Sequence, residues 1–286
     1  MSENNTILSR IFTQSILKGL VENESDAASG LLTVVRRYHI SYENGKTNEE
    51  VISEIYSHLD KNYRNEYYYK NTLINKLIIN AHRMRTTVAL TEVPIAKSKA
   101  DFIMINGKGV VYEIKTELDT FDRLFSQIKD YFKAFDHVCV VTSEDQSKEL
   151  LKHLEGTPVG IYVLTKRNTI KHLKEPEAYS EALDVDCIFR VLNKPEYESL
   201  VKKLHGSLPK VTPVKYYSEC KKIVQKYPLD EVYPLFLEEL KKRNRIDVLE
   251  YSMVPEALHF LVYFAKYKTH DYQKLQQFLC APFEGS

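Results

Sequence analysis

The sequence predicts an α/β protein, a mixed sheet core flanked by helical N-terminal and C-terminal lobes. Three observations predict it. Short β-branched or apolar runs separated by polar turns cluster between residues 87 and 165. Helical periodicity dominates on either side of them. Gly 9 and Pro 10 in 286 residues force few positions into turns. With 43% apolar residues the chain can bury a large core, which excludes disordered and low-complexity architectures.

Residues 1–48 form an N-terminal helical lobe, with Ile7, Ile11, Phe12 and Ile16 at helical spacing and an apolar cluster at Leu31, Leu32, Val34 and Val35. The polar stretch SYENGKTNEE (residues 41–50) interrupts the periodicity. Val51, Ile52, Ile55 and Leu59 then mark one helix, and Tyr69, Leu73, Leu77 and Ile78 a second running toward His82. Strands are predicted over residues 87–96, 100–106 and 109–116, with Asn106–Gly107 as a hairpin signal. Phe121, Leu124, Phe125, Ile128 and Phe132 give residues 119–135 one apolar stripe that docks a helix on the sheet. Two more buried strands follow at 138–142 and 159–165, joined by the helical SKELLKHLE. From about residue 174 strand signals fade and helices return, at Tyr197, Leu200, Val201 and Leu204 and again at Leu235, Leu237 and Leu240, with a loop at 206–215. The expected domains are therefore 1–48, a core at 49–173, and a helical region at 174–286.

Lys+Arg 40 against Asp+Glu 39 gives a net charge of +1, so global electrostatics name no partner. Locally, seven Lys and one Glu lie between Val201 and Lys226. Lys202, Lys203, Lys221 and Lys222 are thus candidate nucleic-acid contacts, against the plainer reading of a solvated helix face. Cys139, Cys187, Cys220 and Cys280 are too widely spaced for a zinc or redox pair and read as reduced packing residues. The polar N-terminus and apolar runs far shorter than the ~20 residues of a membrane span suggest a cytoplasmic protein without membrane contact. The 9 histidines show no HxH or HExxH spacing, and no GxxxxGK[ST] phosphate loop is present. The cluster Tyr67, Tyr68 and Tyr69 fits either base stacking or helix packing.

Chemistry concentrates at Asp101 and, beyond the turn, Glu113-Ile114-Lys115. Residues two apart on a strand share a face, so Glu113 and Lys115 emerge together, and the hairpin brings Asp101 close to Glu113. Two carboxylates about 4 Å apart repel by roughly 4 kcal/mol at an effective dielectric near 20. Lys115 can offset one charge, and the remaining acidic site suits Mg²⁺ or Mn²⁺, which take oxygen ligands. A salt-bridged strand pair at a sheet end is the plainer alternative. Asp119, Arg123, Gln127 and Tyr131 add a polar stripe at intervals of four, and Glu66 and Glu92 are further acids within reach of the site.

The order helix, three strands, helix, strand with D…ExK on the second and third strands resembles the PD-(D/E)XK nuclease superfamily, which has a restriction-endonuclease-like fold. Gln127-Ile128-Lys129-Asp130-Tyr131 matches the QxxxY element of its RecB-like branch. The string YEIKTELDTFDRLFSQIKDYFKAFDHVCVV is similar to small bacterial and prophage members. The resemblance covers residues of about 50–170 and departs at Ala100, where the motif has proline. It implies metal ligation by Asp101, Glu113 and the Ile114 carbonyl, with Lys115 as catalytic lysine. It also implies supporting roles for Gln127 and Tyr131 near metal or DNA, and an acid on the first helix, for which Glu66 is the candidate and Glu54 competes; Arg123, from the polar stripe, is a further supporting candidate. The expected activity is Mg²⁺- or Mn²⁺-dependent hydrolysis of DNA. A catalytically silent nucleic-acid-binding or protein-interaction module on the same fold is the alternative, and the C-terminal helical region could recognise a protein partner.

Overall fold

The computed structural model describes residues 6–42, 45–79, 81–243 and 246–284, so the predicted break at 41–50 lies partly outside the described residues. The chain forms two compact units, Met1–Arg85 with Arg245–Ser286, and Thr86–Asn244.

The second unit contains a six-stranded sheet whose spatial order follows the sequence: β1 (Val88–Ile95), β2 (Ser98–Asn106), β3 (Lys108–Lys115), β4 (His137–Ser143), β5 (Gly160–Leu164) and β6 (Ile170–Lys174). β1, β2 and β3 are antiparallel, β3, β4 and β5 are parallel, and β6 returns antiparallel on β5. Parallel neighbours require crossovers. The helices Leu124–Tyr131 and Ser147–His153 supply them, and the α/β class follows. β6 escaped detection in the sequence because it is a five-residue edge strand with only Ile170 and Leu173 apolar, both half-buried.

The first crossover helix begins at Leu124 rather than at Asp119. Asp119 is committed elsewhere: its carboxylate accepts the Thr116 N–H and hydroxyl and folds the intervening residues into a turn. Leu124, Ile128, Tyr131 and Phe132 then pack on one sheet face together with Ile188, Phe189, Phe236 and Leu237. The last four come from helices within 185–240, so this stretch belongs to the unit of the sheet and is not part of a separate C-terminal lobe.

Among the described residues the first unit's named elements are all helices, and it combines both ends of the chain. Thr47 and Glu50 cap the helix Asn48–Asn62 reciprocally, Asn48 donates to the Phe278 carbonyl at 2.8 Å, and Thr47 bridges Pro282. The predicted boundaries at 48 and 173 are corrected accordingly. Periodicity shows that a helix has an apolar stripe, but not which distant segment will cover it. Tyr67, Tyr68 and Tyr69, in the helix Glu66–Leu73, are all buried, and the Tyr67 ring stacks on Phe12 with centroids 4.7 Å apart. They serve packing. A π-helical turn, Ile74–Ile78, extends this helix. All four cysteines are unpaired. No described helix is long and apolar enough to cross a membrane.

Two contacts fix the sheet locally. Gly107 makes the β2–β3 turn at φ +75°, and the backbone of Gly109 then lies so close to the helices that a Cβ there would meet Leu237 and Phe135 at 2.8 Å. The buried Asp130 carboxylate accepts the Lys97 N–H at 3.2 Å, the Ser98 hydroxyl at 2.9 Å and the Lys133 ammonium at 2.7 Å, tying the β1–β2 turn to the crossover helix.

Gly109→Ala should destabilise the protein by about 1–3 kcal/mol through overpacking, measured by urea denaturation. Asp130 carries a pH signature. Burial pushes its carboxyl up, but the Lys133 and Ser98 bonds outweigh this and hold it below its ordinary 3.8. Its stabilisation is therefore complete above the ordinary value and fades as pH falls through the lower folded one. Asp130→Ala should cost about 1–3 kcal/mol at neutral pH, with the gap to wild type narrowing in acid.

Candidate active site

β2 and β3 pair from Asn106↔Lys108 to Phe102↔Tyr112, and there their ladder ends. One position further on, Asp101 and Glu113 face the gap. The Asp101 carboxylate takes the Ile114 N–H at 2.9 Å, so a side chain supplies the acceptor that a paired β2 backbone would have offered. β3 continues alone beside β4, with Glu113↔Val140, Ile114↔Val141 and Lys115↔Thr142.

Glu113 and Lys115 share a face, as their spacing predicts, and form a buried ion pair at 2.8 Å with relative exposures of 1% and 6%. Gln127 closes a ring on this pair. Its Oε1 accepts from Lys115 at 3.0 Å while its Nε2 donates to Glu113 Oε1 at 2.5 Å. One helical turn later the Tyr131 hydroxyl lies 2.6 Å from Glu113 Oε2 and 2.9 Å from the Lys99 carbonyl, with one proton for the two acceptors. Burial first, then the charges of Glu113 and Asp101, hold this phenol well above its usual ionisation range. Tyr131 is thus a donor at neutral pH and adds no charge. Asp101, Glu113, Ile114, Lys115, Gln127 and Tyr131 are therefore brought together as the sequence implies.

The remaining predicted residues come from other elements. Arg123 is exposed, immediately before the crossover helix. Glu66 opens the helix Glu66–Leu73 in the first unit and pairs with Lys70 at 2.5 Å, while its competitor Glu54 pairs with Lys46. Three of the four candidate lysines of the basic run form ion pairs. Lys203 pairs with Glu238 and Glu239, Lys221 with Asp186, and Lys222 with Glu219, leaving the exposed Lys202 as the member of the four with no ion pair among the described residues. Three of these acids lie outside residues 201–226, so counting charges along that run overstates its positive potential.

Glu92 is more prominent than its sequence context suggests. Its carboxylate and that of Asp101 offer oxygens within 4.8 Å of each other, it pairs with Lys99 at 2.5 Å, and its φ is +56° in the middle of β1. A left-handed, non-glycine residue within a strand has no sequence signature. Glu92, Asp101, Glu113 and the Ile114 carbonyl offer hard oxygen donors, a set that fits Mg²⁺ or Mn²⁺. The three bonds that Glu113 accepts leave room for a cation among its roughly four lone-pair sites.

A family model described as bacteriophage P4 protein cII matches residues 60–253, more than half of the chain. The chain belongs to the bacteriophage P4 protein cII family. The cII match includes every residue of the candidate site. No curated protein matches the chain. Among solved structures, the SPO1766 protein of unknown function from Silicibacter pomeroyi is similar at 16% identity over 38% of this chain and 69% of that chain. Its TM-score of 0.30 is too low to support an argument about either fold or activity.

The backbone at Glu92 has a measurable consequence. A left-handed L-residue costs about 1–2 kcal/mol, so Glu92→Gly should be more stable than Glu92→Ala by about 1 kcal/mol, the reverse of the usual strand order. Denaturation of the two variants, both lacking the Lys99 pair, makes the comparison.

Proposed function

We propose that the protein is a metal-dependent deoxyribonuclease of the PD-(D/E)XK type. The observation that carries this reading is the buried ring of Glu113, Lys115, Gln127 and Tyr131 beside Asp101, at the point where β2 and β3 part. The phage-derived family is compatible with a role in phage biology.

Asp101, Glu113 and the Ile114 carbonyl would hold Mg²⁺ or Mn²⁺, with Glu92 next to Asp101 as a further oxygen donor. When bound, such an ion lowers the pKa of a coordinated water and offsets charge on phosphoryl oxygens. Lys115 presents an ammonium group beside this acidic set, suited to steady negative charge on a phosphate oxygen. Gln127 restrains both members of the ion pair. Tyr131, protonated at neutral pH, directs the second oxygen of Glu113 by a hydrogen bond. The low exposure of Glu113 and Lys115 strengthens each of these electrostatic terms.

Purified protein should cleave DNA in Mg²⁺ or Mn²⁺, lose activity in chelator, and lose about 100-fold or more in Lys115→Ala with its fold intact by circular dichroism. Cleavage that persists in chelator or in Lys115→Ala would reject the mechanism. Calorimetry that detects no divalent-ion binding while DNA affinity is retained would favour a silent binding module.

A further inference from the structure

Lys115 is the last residue of β3, and β2 has already left it, so only β4 restrains it within the sheet. Its ammonium nevertheless makes directed bonds to both Glu113 and Gln127. Something beyond the ladder must hold the chain direction at its Cα.

The next four residues close on themselves. Asp119 Oδ2 accepts the Thr116 N–H at 2.8 Å and the Thr116 hydroxyl at 2.7 Å, and the Asp119 N–H returns to the Thr116 carbonyl at 3.1 Å. The Leu118 N–H donates to the Thr116 hydroxyl at 3.2 Å. Leu118 itself is 63% exposed, so hydrogen bonding rather than apolar burial shapes this turn. Gln146 then ties the turn to the sheet: its Nε2 donates to the Asp119 carbonyl at 3.1 Å, and its Oε1 accepts from the Thr142 hydroxyl at 3.1 Å. Thr142 is fully buried and faces Lys115 across the β3–β4 ladder. A continuous circuit therefore runs from Lys115 through Thr116, Asp119, Gln146 and Thr142 and back across the rung to Lys115.

We propose that Asp119 and Gln146 form a clamp that positions Lys115. They are positioning residues, acting through Thr116 and Thr142. The catalytic part of this proposal rests on the nuclease reading, whereas the mechanical part does not. An amide at 146 both donates and accepts, which the two bonds demand. At 119 only an acceptor is required, so an asparagine oxygen can replace the carboxylate. This separates a clamp from a role for negative charge.

The test compares wild type with Gln146→Ala, Asp119→Ala and Asp119→Asn. Single-turnover cleavage in Mn²⁺ should fall about 10–100-fold in both alanine variants, the range expected for a misplaced reacting group, with DNA affinity in Ca²⁺ within about twofold of wild type. Asp119→Asn should restore most of the rate. In parallel, without metal or DNA, ¹⁵N relaxation of the Lys115 ammonium and hydrogen exchange of the Thr116 amide report the clamp directly. Both alanine variants should show a more mobile ammonium and faster exchange. If Gln146→Ala fails to fold, Gln146→Glu, which keeps the Thr142 acceptor and loses the donor to Asp119, replaces it. Unchanged ammonium mobility in the folded variants overturns the clamp, as does an Asp119→Asn variant as impaired as Asp119→Ala. A wild type that does not cleave rejects the nuclease reading alone, and the relaxation and exchange data still decide the clamp.

Discussion

The end of the β2–β3 ladder at Phe102↔Tyr112 is the constraint on which the site depends. Two antiparallel strands joined by a tight turn ordinarily continue pairing, because each unpaired backbone group in a buried place costs free energy. Here β2 stays with β1 through Ile95↔Ser98 while β3 stays with β4 through Lys115↔Thr142. The groups exposed by the parting are satisfied from side chains: Asp101 takes the Ile114 N–H, and the Tyr131 hydroxyl reaches the Lys99 carbonyl. The same two side chains border the candidate metal site. Backbone satisfaction and site construction are thus one arrangement.

The ion pair inside that gap would be a poor choice for stability alone. Removing two charges from water costs several kcal/mol per ion, and well-packed apolar residues often do as well or better. Every neighbouring position on β3 from Val110 to Ile114 other than Glu113 is apolar or aromatic and buried, so apolar replacements suit the environment. The charges are retained together with partners that complete their hydrogen bonding. Gln127 is suited to its position because an amide can accept from an ammonium and donate to a carboxylate at once. A glutamate there could only accept, and would add a third negative charge beside Glu113 and Asp101. Tyr131 offers a donor that remains neutral for the same electrostatic reason that raises its pKa.

The fold was legible where a residue's burial is set by its own strand or helix. The β-branched runs located β1 to β5 to within a few residues, Asn106–Gly107 located the hairpin, and i, i+2 alternation placed Glu113 and Lys115 on one face. What distant segments decide was not legible. Helices from residues 185–240 cover the sheet, and the helix Asn48–Asn62 is tied to residues near 280, because an apolar stripe does not encode its partner. Within the site, the ExK spacing was visible, but the Gln146 link between Thr142 and Asp119 joins residues up to 27 positions apart and has no local pattern. The left-handed turn at Glu92 was equally silent.

Charge follows the same logic. A balance of 40 basic against 39 acidic residues could conceal opposed patches, and the lysine run beyond Val201 invites that interpretation. Yet Lys203, Lys221 and Lys222 each find a carboxylate, mostly from another element, so the charge counted along the run overstates the field it makes. Glu92 pairs with Lys99, Glu113 pairs with Lys115, and Asp101 turns its Oδ2 to the Ile114 N–H. Glu92, Asp101 and Glu113 bring three carboxylates to this place. Near-neutrality of the chain is therefore no guide to its chemistry, because oxygen donors converge at the site whatever the total. On the nuclease reading, a cation held by those donors is the condition for a phosphate to approach.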